Sequence, residues 1–463
     1  MIYLGLAMFL LYLIFKILYI FYPLYSKNHS VLTDKVSCYK SFALLIPAYN
    51  EEHVILNCIN SLKVLPYPNY RVYIIDDGSA DKTIEILSKH LLLMPARIKE
   101  DVRLQYQPIL AKYRSGVFPH IYVISKKNGG KADSLNAGIA CCRQEIVITL
   151  DADCMLKEDA LSTMNKVFQN ERVVAAGGTV HITQSISDCA RQNLVFGLKN
   201  LIKYQVMQYL NAFYLQKFTQ SCFRSLVVIS GAYGAFARNL LITLGGYRRS
   251  VGEDMDITLK IHQFLKSKKN KFIMTYVPQS VCYTECPEGI KNLTKQRIRW
   301  QKAFIDCTVN YGCKMFRQFN PGISFFFTVD YFFLGTLTCF IFLLTPLCII
   351  LGSQVSYLLI ALFSIDIILG IIECVISKKV AARYNFKFSK NDSVRLGLFI
   401  GLKMFIFKFL NIFFTVIGTL CYFSSKDRWN KAERLGRCFA GTDKSFTDNT
   451  EGLKSAASSV NNS

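Results

Sequence analysis

The stretch IYVISKKNGGKADSLNAGIACCRQEIVITLDADC, Ile121 to Cys154, holds a complete structural unit within one short segment. Two apolar runs, Ile121 to Ile124 and Glu145 to Leu150, flank a segment from Lys131 to Cys142 in which Leu135, Ile139 and Cys142 recur at helical spacing. The unit reads as strand, glycine turn, helix, strand, and it ends in Asp151-Ala152-Asp153. The same alternation precedes it: Phe42 to Pro47 then Glu51 to Leu62, and Arg71 to Ile75 then Lys82 to His90. That order predicts an α/β domain with a mainly parallel sheet covered by helices. In such sheets ligands bind outside the carboxyl ends of the strands, which is where the acidic residues of this segment fall.

Side chains two apart on an extended chain point the same way, so Asp151 and Asp153 present two carboxylates to one place. Oxygen ligands of that kind suit Mg²⁺ or Mn²⁺. A lone Asp-x-Asp is common, and its position at a strand end beside a second acidic turn is what gives it weight. That second turn is Asp76-Asp77-Gly78-Ser79, with Asp81 as the N-cap of the next helix. A carboxylate there accepts hydrogen bonds from a base or ribose, while plain turn chemistry also accounts for Asp-Gly-Ser. Asn128-Gly129-Gly130-Lys131 lets the backbone approach an anion and adds a cation near the helix start; the alternative is an ordinary glycine turn with an exposed lysine.

A hydrophobic fraction of 51% and a mean hydropathy of +0.25 are high for a wholly soluble chain, and the apolar residues concentrate in long runs. Ile2 to Tyr22 is broken only by Lys16 and lacks a basic start and a small-residue cleavage site, so residues 1–25 read as a retained membrane anchor. Phe325 to Leu351, Tyr357 to Ile376 and Leu396 to Phe423, the last with Lys403 and Lys408, predict about three further spans within 325–423. Asp330, Asp366 and Glu373 within them are costly in lipid and are expected to face protein or water. Residues 40–320 are ordinary in polarity and form the expected soluble domain, although Leu91 to Pro119 is longer than a sheet connection needs. Residues 441–463 bury almost nothing and are expected to be disordered.

The net charge of +23 follows the positive-inside pattern: Lys27, Lys35 and Lys40 come after the first apolar run, and Lys378, Lys379, Arg383, Lys387 and Lys390 fill the loop before the last. No basic run is interleaved with aromatics at the spacing of a nucleic-acid module, so nucleic acid is not the expected partner. The 16 cysteines are scattered singly apart from Cys141-Cys142, which excludes a paired zinc-ribbon pattern and points to reduced, mostly buried thiols.

Seven segments in consistent order resemble the family 2 glycosyltransferases, in particular the membrane-bound processive synthases of hyaluronan, chitin, cellulose and bacterial poly-N-acetylglucosamine. They are IPAYNEE (Ile46–Glu52), IIDDGSADKT (Ile74–Thr83), NGGKADSLNAGI (Asn128–Ile139), TLDADC (Thr149–Cys154), SGAYGAFARNLL (Ser230–Leu241), GGYRRSVGEDMDITLKI (Gly245–Ile261) and QRIRW (Gln296–Trp300). The resemblance implies a Rossmann-like nucleotide-diphospho-sugar transferase domain flanked by transmembrane helices. It implies a UDP-sugar donor, a growing β-linked polysaccharide as acceptor, and inversion at the anomeric carbon. By the same resemblance Glu51 and Asp77 contact the nucleotide, Lys131 and Asp151 help hold it, and Asp153 binds Mg²⁺ or Mn²⁺. Asp254 is then the general base, and Glu253 belongs to the acceptor side. If Ile290 to Phe304 is helical, Gln296, Arg299 and Trp300 share one face and Arg297 points elsewhere. Arg299 would pair with the leaving diphosphate and Trp300 would offer a flat surface to an acceptor sugar, whereas a basic amphipathic helix on the membrane is the plainer reading. Gly252 departs from the threonine often found before Glu-Asp.

The expected setting is a multi-pass protein of the cell membrane with its catalytic domain in the cytosol and its amino terminus outside. Lys426, Arg428, Lys431, Arg434 and Arg437 argue against an external tail, and an interfacial or re-entrant segment within Phe325 to Phe423 reconciles the count. Two other readings of the same residues are transfer of one sugar to a lipid carrier or glycolipid, and a non-catalytic polymer-export subunit.

Overall fold

The computed structural model describes residues 2–26, 36–63, 65–188, 193–194, 199–343 and 355–424. The segments 27–35 and 441–463, and the basic residues from Lys426 to Arg437, lie outside the described residues. The apolar runs of the sequence become β1 (Phe42–Ala48), β2 (Tyr70–Asp76), β5 (Ile121–Lys126) and β6 (Ile146–Leu150). Between them lie β3 (Leu93–Pro95) and β4 (Ile109–Ser115), and after them β7 (Cys154–Leu156) and β8 (Val173–Ile182). A small antiparallel ribbon, β9 (Ile186–Asp188) and β10 (Asn193–Leu194), precedes β11 (Tyr233–Ala237) and β12 (Ile273–Thr284). All but the ribbon form one ten-stranded sheet in the order β3-β4-β5-β2-β1-β6-β11-β8-β12-β7.

The block β5-β2-β1-β6 is parallel, and every residue of β6 is buried, as expected of a strand covered on both faces. The rest is more antiparallel than the sequence predicts: β4 runs against β5, and β11 runs against both β6 and β8. The segment 91–119 thereby acquires a role, because β3 and β4 extend the sheet beyond β5. The register of β11 matters for function. Tyr233 pairs with Leu150, so the chain entering β11 at Ser230 to Ala232 runs beside Asp151 and Ala152. Likewise Thr284 of β12 pairs with Cys154. Returning strands thus meet the carboxyl ends of the parallel block at one rim.

Helices α2 (Ile55–Leu62), α3 (Thr83–Leu91), α4 (Lys131–Cys141) and α5 (Ala160–Phe168) cover the sheet. Gly130 has φ +91°, a backbone conformation other residues adopt at a cost, and it lets the chain turn from β5 directly into α4. The N-cap of α3 is Lys82, not Asp81 as the sequence suggests; Asp81 lies one residue earlier and accepts from the Thr83 backbone N–H at 3.0 Å in a local turn. Helix α6 (Asn200–Leu210) continues through a π-helical stretch (Asn211–Lys217) into α7 (Phe218–Cys222). Then come α8 (Arg238–Thr243), α9 (Glu253–Ser267) and α10 (Ile290–Tyr311). Helix α9 begins one residue before Asp254, so Asp254 sits in its first turn.

The chain is a membrane protein by composition and length. Among the described residues, three helical segments are long and apolar enough to cross a bilayer: Pro321–Leu343 (α11), Ile360–Ala382 within α12 (Val355–Ala382), and Ile406–Ser424 within α13 (Lys390–Ser424). Helix α1 (Ile2–Tyr25) packs against α12, where Lys16 pairs with Glu373 at 2.8 Å. Asp366 pairs with Lys408 of α13, and Asp330 accepts from the Tyr19 hydroxyl. The acidic residues of the apolar helices therefore face protein, as their cost in lipid requires.

Candidate active site

Four chain segments meet at the rim: the loops after β1, β2, β5 and β6. Helix α9 and helix α10 close the opposite side. Together they enclose a cavity of about 860 Å³, and Glu51, Asp77, Lys131, Asp151, Asp153, Glu253, Asp254, Gln296, Arg299 and Trp300 all line it. Every site residue expected from the sequence is thus brought to one space.

Asp77 is buried and does structural work as well as facing the cavity. It accepts from Gly129 N–H at 3.0 Å, Gly130 N–H at 2.7 Å and Lys126 Nζ at 2.6 Å, so it holds the glycine turn in place. Lys126, fully buried, also reaches Asp133 at 2.6 Å. Lys131 bridges Asp151 at 2.7 Å and Glu253 at 3.1 Å, tying the end of β6 to the start of α9. Burial alone would lower the Lys131 ammonium, but Asp151 and Glu253 outweigh it and hold its pKa above the ordinary lysine value. Burial pushes the Glu253 carboxyl up; Lys131 opposes that shift and Asp254 adds to it.

Asp254 is fixed by an extended segment running along α9. Gly231 N–H donates to Asp254 Oδ2 at 3.0 Å, Ile229 N–H donates to Thr258 Oγ1 at 3.0 Å, and His262 Nε2 hydrogen-bonds the Leu226 carbonyl at 2.8 Å. Residues 254, 258 and 262 lie at i, i+4 and i+8, so one helix face carries all three rungs. The amino-terminal end of α9 favours a negative charge at Asp254. Gly252 has a packing reason: a Cβ there would sit 2.4 Å from Ala303 Cβ on α10, leaving no room for a threonine side chain.

Asp151, Asp153 and Cys154 each bring one ligand-type atom within 4.8 Å of the others. Burial first, then Cys282 and Asp153, raise the Cys154 thiol well above its ordinary value, while Asp151 and Asp153 bring hard carboxylate oxygens to the same place. That donor set fits a divalent cation of the oxygen-preferring kind.

Two further cavity residues carry no signal in the sequence. Lys217 donates to the Val228 carbonyl at 2.6 Å, and burial pulls its pKa down to about 8 against the opposing charge of Asp254. Arg297, expected to point away, lines the same cavity: its Nη2 donates to Gln208 Oε1 at 2.7 Å and its guanidinium lies 4.1 Å from the Trp300 ring centroid. The cavity wraps around more of α10 than one helical face, which is why the spacing argument excluded the wrong residue.

Comparison with known proteins is concordant with this geometry. The model of "Glycosyl transferase family 2" matches residues 43–245, and that of "Glycosyl transferase family group 2" matches residues 146–372. The chain belongs to glycosyltransferase family 2. Among curated relatives of this glycosyltransferase is the poly-beta-1,6-N-acetyl-D-glucosamine synthase of Staphylococcus epidermidis, 27% identical over 266 residues, which cover 57% of this chain and 54% of the relative. The protein of that name from Staphylococcus aureus strain COL is 26% identical over the same shares. The match spans about half the length of these curated relatives. Among solved structures, the mannosyltransferase PcManGT of Pyrobaculum calidifontis, in complex with GDP-Man and Mn²⁺, superposes with a TM-score of 0.54 at 15% identity, over 92% of this chain and 98% of that one. That likeness is one of fold.

Proposed function

We infer that this glycosyltransferase moves a sugar from a UDP-sugar to a growing β-linked polysaccharide, inverting the anomeric centre, and passes the product into the membrane. The observation that carries the reading is the extent of the cavity. The space that holds Asp151, Asp153 and Asp254 continues without a break to Lys16, Asp366, Glu373 and Lys408 on the apolar helices. A transferase with a soluble acceptor has no use for a path into the bilayer, and the charged lining of this one suits a polar chain better than a lipid tail.

In this reading Asp254 takes the proton of the acceptor hydroxyl as its oxygen bonds the anomeric carbon, and the bond from that carbon to the diphosphate breaks, its electron pair leaving with UDP. Arg299 and Lys131 supply positive charge to the departing diphosphate. A Mg²⁺ or Mn²⁺ ion at Asp153, when bound, supplies further neutralisation of that charge. Glu51 and Asp77 bound the nucleotide end of the cavity, while Gln296, Trp300 and Glu253 bound the acceptor end. The curated relatives named for N-acetylglucosamine polymers support that sugar or a related hexose as the donor's cargo.

A cytosolic catalytic domain is supported by the packing of the basic loop after α12. Arg383 Nη1 donates to the Pro23 carbonyl at the end of α1 at 2.9 Å, and the Phe386 ring stacks 3.8 Å from His181 of β8. At the far end of α13, Tyr422 reaches Asp306 of α10 at 3.3 Å, which supports a tail on the catalytic side.

The test is a panel of radiolabelled UDP-sugars offered to the purified protein in lipid, with Asp254→Asn alongside. Label from one UDP-sugar should enter hydrolase-sensitive polymer, and Asp254→Asn should lose turnover while still binding UDP. Label recovered only in butanol-extractable lipid would replace this reading with transfer to a lipid carrier.

A further inference from the structure

Arg297 presents an unusual electrostatic situation. Among the described residues, the ionisable groups that act on its charge are Tyr209, Tyr204 and Cys286, and no carboxylate is among them. A buried cation without a counter-charge is costly, and here the cost is only partly met. Nη2 is satisfied by Gln208, whose own amide donates to Asn411 Oδ1 at 3.0 Å, and the guanidinium face is covered by Trp300. Its Nε–H is buried and has no partner. Among the described residues, two carboxamide oxygens of the cavity wall share that condition: Gln296 Oε1, next to it on α10, and Asn211 Oδ1, where α6 becomes π-helical. All three residues line the cavity.

An orphaned donor and two orphaned acceptors at the wall of one cavity describe a ligand group by complement. The ligand must bring an acceptor strong enough for a desolvated guanidinium and a donor for a carboxamide oxygen. An acetamido group does both through one planar unit: its carbonyl accepts and its N–H donates. It is also flat and partly apolar, so it fits against the Trp300 surface. Sugar hydroxyls can make either contact, but a hydroxyl oxygen is a weaker partner for an ionised donor than an amide oxygen.

We propose that Arg297, Gln296 and Asn211 form a subsite that recognises the acetamido group of an N-acetylated sugar in the acceptor chain, with Arg297 as its specificity-determining residue. This rests on the saccharide-acceptor reading above and narrows it to N-acetylhexosamine polymers. Arg297 thus acts where the polymer is held, away from the bond being made.

Binding, not turnover, tests it. The chain has 2 tryptophans, Trp300 and Trp429, so a Trp429→Phe background leaves Trp300 as the reporter. In that background, quenching is measured with trimers of β-linked N-acetylglucosamine and of β-linked glucose, in both the 1,4 and the 1,6 series. The N-acetylated trimer should bind about tenfold tighter or more, the scale of a hydrogen bond to a charged group. Arg297→Ala should bring the two trimers within about twofold of each other while UDP affinity stays unchanged. Arg297→Lys, which keeps the charge and loses the Nε–H, should lose most of the preference too, and Asn211→Ala part of it. If Arg297→Ala does not fold, as judged by UDP binding, the other two variants decide. Equal affinities in the parent, no binding of either trimer, or a preference that survives all three substitutions would overturn the proposal. A protein that shows the preference and makes no polymer would instead refute the polymer-synthase reading and leave the subsite standing.

Discussion

Gly252→Ala is a small change with a large expected effect, because of where its methyl must go. The added Cβ would lie 2.4 Å from Ala303 Cβ and 3.2 Å from Ala303 Cα. Carbon atoms in contact sit about 3.5–4.0 Å apart, so α9 and α10 must separate by roughly 1 Å at this point. Overpacking of this kind costs about 1–3 kcal/mol. The more telling loss is in rate: Glu253 and Asp254 follow directly, and a displacement of about 1 Å at reacting groups costs on the order of 10²-fold. Initial rates of labelled sugar incorporation by purified protein in lipid, with UDP affinity as the check on folding, give the readout. Adding Ala303→Gly removes the 2.4 Å clash and leaves only the 3.2 Å approach to Cα, so the double variant should regain most of the activity. A fully active Gly252→Ala, or a double variant no better than the single, would refute the packing argument.

Lys131→Met should lower turnover by about 10²–10³-fold, the scale of losing one preorganised charge at a leaving group, and should weaken UDP binding as well. Asp153→Asn should weaken the response of UDP binding to added Mn²⁺ far more than it changes binding in chelator, read by calorimetry. Buried His262 titrates at about 4 against 6.5 in the unfolded chain, and buried His181 at about 3. The unfolded state then binds more protons between those values, so stability is complete above pH 6.5 and is lost as pH falls toward 4. The melting midpoint should drop over that window, with a shallower slope in His262→Gln. Protease added to the catalytic-domain side of sealed vesicles should cleave a tag on the carboxyl-terminal tail; cleavage only from the opposite side would reverse the assigned topology.

The parallel block was readable because β1, β2, β5 and β6 are continuous apolar runs, the pattern of strands buried on both faces. The acidic turns at their ends followed from chain order alone. By contrast β8, VVAAGGTVHI, and β11, YGAFA, owe their places to small residues that allow close packing, and neither shows a two-residue alternation. The antiparallel insertion of β11 between β6 and β8 is a long-range pairing with no local signature. At the site, residue type and spacing carried the reading for Asp151 and Asp153, and the family resemblance carried it for Asp254. What could not be read was contact across the chain: Lys126 beneath Asp77, the 226–231 segment along α9, and the turn of Arg297 toward Trp300.

One cavity joins the proposed site of sugar transfer to a polar path through the apolar helices. Protein reconstituted into sealed vesicles with the catalytic domain outward, given labelled UDP-N-acetylglucosamine and a divalent cation, tests it most directly. The account predicts long polymer inside the vesicles, resistant to added hydrolase until detergent is supplied. Product of one or two sugars, or polymer fully digestible without detergent, would contradict it.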